Sequence, residues 1–141
     1  SPTTKGLVGT TTNNNAAAGY VGEFISSNIL NASAVSFTTT VTQDLTSISL
    51  TAGDWDVFGN IWLNAATSAD VIAAWTNTVS ATPADSSQQT IIYGAATPLL
   101  GIPVPYRRYS VSAPTTVYIS ATCTGVGALT CSGGIYARRA R

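Results

Sequence analysis

The sequence predicts an all-β chain folded as an antiparallel β-sandwich, and three observations carry that prediction. Val, Ile, Leu, Trp, Tyr and Phe stand on a background rich in Thr, Ser, Asn, Ala and Gly, while Glu and Lys are scarce and Met is absent; strand and turn formers dominate. Short apolar runs recur between turn residues, with no sustained helical period. The 141 residues and 45% apolar content suit one core and one domain.

The first 18 residues are mostly Thr, Asn, Ala and Gly without periodicity, and are read as an extended N-terminal arm or linker before a β-sandwich domain over residues 19–141. Strand-like runs then follow at Tyr20–Ile25, Val35–Val41, Leu45–Leu50, Trp55–Leu63, Val71–Thr78, Thr90–Tyr93, Arg107–Val111, Val117–Cys123 and Leu129–Arg138. That spacing suggests a sandwich or jelly roll. No internal repeat, coiled-coil heptad or collagen-like period is present.

The clearest run is Trp55–Leu63. Trp55, Val57, Gly59, Ile61 and Leu63 fall on one face, expected to be core. The opposite face carries Asp54, Asp56, Phe58, Asn60, Trp62 and Asn64, which leaves two large aromatics among polar neighbours. Each aromatic hides roughly 150–250 Å² when covered, so burial against another sheet or subunit is expected. The sharper alternative is a sugar-stacking platform at Trp62 or Trp75. Gly53 in Thr51-Ala52-Gly53-Asp54 can take positive φ, predicting a tight turn that pairs the Leu45 and Trp55 runs as antiparallel neighbours. Pro98, Pro103 and Pro105 cannot sit in a central ladder, so their stretch reads as an extended loop or an edge. Cys123 and Cys131 flank a Gly-containing stretch resembling a hairpin turn. They are read either as a disulfide across that hairpin, which needs Cα atoms roughly 4.4–6.8 Å apart, or as two small buried thiols.

The chemistry is read mainly by exclusion. With no histidine, Ser-His-Asp and Cys-His sites cannot form within one chain, and two cysteines cannot complete a tetrahedral zinc site. Asp54 and Asp56, about 7 Å apart on one strand face, suit a glycosidase pair or hard-cation site in spacing. They are read instead as a turn carboxylate and an ordinary surface Asp. Glu23, Asp44, Asp70 and Asp85 are dispersed and read as solvated loop carboxylates. No Gly-rich phosphate loop exists, and no cofactor or metal is expected. Net charge is zero, and the arginine clusters (Arg107 with Arg108; Arg138 and Arg139 with Arg141) are balanced by carboxylates, so no nucleic-acid partner is expected. No apolar run reaches the roughly 20 residues of a bilayer span, so no membrane insertion is expected.

The phrase Thr46-Ser47-Ile48-Ser49-Leu50-Thr51-Ala52-Gly53-Asp54-Trp55-Asp56-Val57 resembles one in tailed-bacteriophage virion proteins, especially small β-rich domains that end tail fibres or decorate heads. Asn15-Ala16-Ala17-Ala18-Gly19-Tyr20-Val21-Gly22-Glu23, Thr115-Thr116-Val117-Tyr118-Ile119 and the ending Ala137-Arg138-Arg139-Ala140-Arg141 agree in order, so the resemblance runs from about Asn15 onward. It implies a trimeric jelly roll of the tumour-necrosis-factor or C1q type, a non-enzymatic role and a place on the virion surface. The partners implied are its own copies, other virion proteins through the N-terminal arm, and a host-surface glycan. A complete chain would favour capsid decoration or a head fibre; a fragment would favour a receptor-binding tail-fibre tip. Trp62, Trp75 and the cysteine pair depart from the family pattern. Candidate subunit-interface residues are Phe58, Trp62, Arg138 and Arg139. Arg138 or Arg139 is expected to pair across a subunit boundary with an acidic residue or the Arg141 carboxylate; the plainer reading is solubilising charge.

Overall fold

A computed structural model describes residues 11–65, 69–95, 99–125 and 128–141. Among them the strands are β1 (Phe24–Ile29), β2 (Val35–Phe37), β3 (Gln43–Leu50), β4 (Gly53–Ala65), β5 (Ala69–Asn77), β6 (Thr90–Ala95), β7 (Leu99–Val111), β8 (Thr115–Thr124) and β9 (Leu129–Arg139). All pairings are antiparallel. Sheet A has the order β1-β9-β4-β7, with β2 also on β9, and sheet B has the order β3-β8-β5-β6. The two sheets pack as a sandwich, as the composition predicts.

Alternation builds the shared core. Trp55, Val57, Ile61 and Leu63 of β4 are buried as expected, facing Val117, Ile119, Ala121 and Cys123 of β8 within one apolar cluster. In β3, Leu45 and Ile48 both reach the core although three residues apart, because the register slips between Asp44 and Thr46. One inserted residue resets which face a strand presents. The long sides are closed by a Ser27–Thr46 hydroxyl contact of 2.6 Å between β1 and β3, and by Thr90 Oγ1 donating to the Pro103 carbonyl (2.7 Å) between β6 and β7.

Several sequence expectations are corrected. Leu50 and Trp55 do not belong to paired neighbours: β3 lies in sheet B and β4 in sheet A, so Thr51-Ala52 is a corner between sheets. Trp55 Nε1 donates to the Thr51 carbonyl (3.0 Å), and the Arg139 guanidinium donates to the Ala52 carbonyl (2.9 Å) and to Thr51 Oγ1. These bonds fold the link inward rather than flat. Gly53 does take positive φ (149°), for a reason of space: a Cβ there would lie 2.0 Å from Arg139 Nη1. The first strand begins at Phe24 rather than Tyr20, because glycines in left-handed conformation (Gly19, φ 86°; Gly22, φ 88°) make 19–22 a turn. The Val35 run ends at Phe37, and Thr40 is left-handed (φ 65°). The Arg107 run extends back to Leu99 as the edge strand β7, so of the two readings of its Pro-containing stretch, loop or edge, the edge holds. Its register shifts between Val57 and Gly59 opposite Pro105 and Tyr106, where a prolyl nitrogen has no proton for the ladder. Pro98, residues 1–10 of the arm and residues 126–127 of the expected hairpin turn lie outside the described residues. Residues 11–18 carry no strand or helix, yet Asn15 pins them, its amide bonding the Phe24 carbonyl (2.7 Å) and N–H (3.0 Å).

Candidate interaction face

The outer face of sheet A collects side chains that alternation turns away from the core. Two antiparallel registers align them: Phe24 of β1 lies opposite Arg138 of β9, and Phe58 of β4 opposite Tyr136 of β9. The rings form a row across three strands. Phe24 and Tyr136 centroids are 6.2 Å apart with planes at 19°, and Tyr136 and Phe58 are 5.6 Å apart at 25°, both within the range of stabilising offset stacking. Phe58 remains 43% exposed. Farther along β4, Trp62 is 39% exposed and leans over the β7 backbone at Gly101, where a Cβ would stand 3.3 Å from its Cε3.

The opposite end of this face is charged. Asp54 accepts a two-pronged contact from Arg108 (Nε and Nη2, both 2.7 Å) and another from Arg141 Nε (2.7 Å). Hydrogen bonding from Arg108, then from Arg141, draws its pKa down to about 2. Asp56 accepts from the Tyr106 hydroxyl (2.6 Å), which raises the Tyr106 pKa. Arg138 is exposed, with its guanidinium 5.8 Å from the Phe24 ring centre. Arg138 and Asp56 face each other across the β9–β4 ladder, yet each side chain turns to a different neighbour.

Arg139 ends on the inward face and takes its partners within its own chain. Its Nε donates to Glu23 Oε2 (2.9 Å), its two Nη atoms hold the Thr51-Ala52 corner, and its guanidinium lies 4.3 Å over the Trp55 ring. At 5% exposure it is not the free cation expected for a subunit boundary. Glu23, read from sequence as solvated, is buried, and the Gly19 N–H and then Arg139 hold its pKa below the usual carboxylate range. Asp54, read as a turn carboxylate accepting backbone N–H groups, is likewise buried and accepts instead from Arg108 and Arg141.

Trp75 is corrected as a glycan-binding candidate. It lies on the outer face of sheet B, opposite Ser120, but is 1% exposed under the chain's own β5–β6 connection and donates from Nε1 to the Thr82 carbonyl (3.0 Å). Asp44 clamps that connection, accepting from Ser80 Oγ (2.5 Å), the Ala81 N–H (2.9 Å) and Ser120 Oγ (2.6 Å). It is therefore a structural acceptor rather than a solvated loop carboxylate. The cysteines are free and buried, Cys123 on β8 in sheet B and Cys131 on β9 in sheet A, so they do not face each other across a hairpin. Burial pushes their pKa values to about 11 and about 12.

Sequence reasoning placed Phe58 and Trp62 on one outward face and missed the row that Phe58 joins. Tyr136 shares a β9 face with Arg138 by alternation, which was a usable signal. The β1–β9–β4 register that brings Phe24 and Phe58 to it was not. Among the described residues, no group of three or more His, Cys, Asp or Glu is placed to hold a metal ion, and no helix is long and apolar enough to cross a membrane.

No family model matches this sequence, and no curated protein matches it. Among solved structures, the chain is similar to one in the structure of infectious bursal disease virus, Gx strain, with a TM-score of 0.48 and 10% sequence identity, over 83% of this chain and 30% of the viral one. This chain thus spans less than a third of the viral chain's length.

Proposed function

We propose that this chain is a non-enzymatic virion structural protein, a homotrimeric knob on the particle surface that decorates the capsid, ends a head fibre or forms the receptor-binding tip of a tail fibre. The observation that carries the reading is the stacked row of the half-buried Phe24 and Tyr136 and the exposed Phe58, flanked by the exposed Arg138. Stacked rings on an outer sheet face are the material of a subunit contact, and aromatic and arginine side chains are enriched in such contacts. The strand order β1-β9-β4-β7 over β3-β8-β5-β6 supports a jelly roll, in which two Greek keys are wound together. The virion setting, the threefold symmetry and the arm's attachment to other virion proteins rest on the tailed-phage resemblance of the Thr46–Val57 phrase and its companions. The non-enzymatic reading is supported by the lack of histidine and by the Asp54 and Glu23 carboxylates being committed to arginines.

Light scattering on the intact protein at micromolar concentration tests it. A mass of three times the 14.5 kDa chain is expected, falling to the single-chain mass for Phe58→Arg, which places a charge within the row without disturbing the core. A 14.5 kDa species for the unaltered chain would contradict the trimer.

A further inference from the structure

The outer face of sheet A is not uniform, and its two ends suit different partners. Beyond Phe58, toward Asp54, the side chains are ionic: Asp54, Asp56, Arg108, Arg138 and Arg141. Around Trp62 they are neutral and short. Its ladder partners are Ser132 on β9 and Gly101 on β7, and along β4 the same face presents Asn60 and Asn64. Both amides are exposed and, among the described residues, neither has a hydrogen-bond partner. Two residues along a strand span about 7 Å, so one free amide stands on each side of the indole.

We infer that Trp62, Asn60 and Asn64 form a binding subsite for an uncharged glycan. A sugar ring offers an apolar C–H face that stacks on an aromatic plane, and hydroxyls that pair with amides able both to donate and to accept. Three features match that chemistry. The indole is supported from beneath by the Gly101 backbone while 39% of the residue stays open to solvent. Among the described residues the flanking amides are unpaired. No formal charge occupies the adjoining ladder positions, which suits a neutral ligand better than an anionic one. The other two of the three tryptophans, Trp55 and Trp75, are 0% and 1% exposed, so this face holds the indole available for stacking. The inference rests on the reading of the chain as an exposed surface knob and adds a ligand class to it.

The test uses the intact protein titrated with cellotetraose, maltotetraose and chitotetraose. Acrylamide quenching of tryptophan fluorescence reads Trp62 selectively, because the other two indoles are buried. Saturable protection by at least one of these saccharides at millimolar concentration is expected. In calorimetry Trp62→Ala should weaken that saccharide about tenfold or more, with smaller losses for Asn60→Ala, Asn64→Ala and Gly101→Val. Light scattering on the same samples separates the two claims. Should Trp62→Ala dissociate the oligomer, Trp62 belongs to the subunit contact and the glycan subsite is overturned while the trimer stands. Saccharide protection in a chain of single-chain mass keeps the subsite and overturns the trimer. Protection by none of the three saccharides overturns the subsite outright.

Discussion

The two outer faces of the sandwich meet the same problem in opposite ways. Each carries a tryptophan turned away from the core. On sheet B the chain covers Trp75 itself, folding its β5–β6 connection back over the indole and fastening it through Asp44 to Ser80, Ala81 and Ser120. The fastening holds Ala81 in the left-handed region (φ 47°), which for a non-glycine residue is a local cost that surrounding bonds must offset. On sheet A no comparable cover lies over Phe58 and Trp62 among the described residues, and the exposed Phe58 stacks on the half-buried Tyr136, which stacks in turn on the half-buried Phe24. An outward tryptophan alone therefore says little about binding. What matters is whether the chain spends its own residues on hiding it.

Cutting back one aromatic on each face should break the comparison most visibly. Trp75→Ala removes a buried indole and is expected to lower unfolding stability in urea by about 3–5 kcal/mol with no change in subunit number. Phe58→Ala, on the open face, should cost the single folded chain only about 0.5 kcal/mol while weakening assembly. If Phe58→Ala destabilised the fold as much as Trp75→Ala, the open face would be part of the fold's own support.

Loosening the cover is the next largest effect. Asp44→Ala leaves the Ser120 hydroxyl and the Ala81 N–H without their acceptor, a loss of about 1–3 kcal/mol. It should also expose Trp75, so acrylamide quenching would report two accessible indoles instead of one. Unchanged quenching would mean that packing holds the connection without the clamp.

Acid should act on sheet A's charged end. The Asp54 carboxyl titrates near 2 in the folded chain against an ordinary 3.8, and Glu23 is also drawn down. A carboxylate with a depressed folded pKa contributes its stability in full above its unfolded value and loses it as pH falls toward the folded one. Melting temperature should therefore be flat above about pH 5 and fall between about 4 and 2, with Asp54→Asn flattening part of that fall. A decline centred near neutral pH would point to other groups.

Much of this molecule is legible from its sequence, and the illegible parts share a cause. Period-two alternation in Trp55–Leu63 gives both the core face and the outward Phe58 and Trp62, because side-chain direction in a strand is a local property. Which strands become neighbours is not local. The Thr51-Ala52-Gly53 link reads as a hairpin until Arg139, 86 residues beyond Gly53 in the chain, fills the space a Cβ would need. The alternative of Trp75 as a platform stays open in the sequence until Asp44 and Ser120, from two other strands, hold the connection above it. Asp44 reads as solvated because Ser80, Ala81 and Ser120 lie far along the chain, and Glu23 because Arg139 does, although its Gly19 N–H partner is local. For the cysteines the sequence leaves a hairpin disulfide and two buried thiols both open, because a glycine-rich link looks alike whether it joins strands of one sheet or of two; the thiols are the outcome.

The central claim is that sheet A's aromatic row is covered by other copies of the chain, as Trp75 is covered by its own. Hydroxyl-radical footprinting of Phe24, Phe58, Tyr136 and Trp75, in the unaltered protein and in Phe58→Arg, tests this most directly. The account predicts that Phe24 and Tyr136 are protected in the unaltered protein and oxidised several-fold faster in the variant, while Trp75 stays protected in both. Fast oxidation of Phe24, Phe58 and Tyr136 in the unaltered protein, no different from the variant at Phe24 and Tyr136, would contradict it.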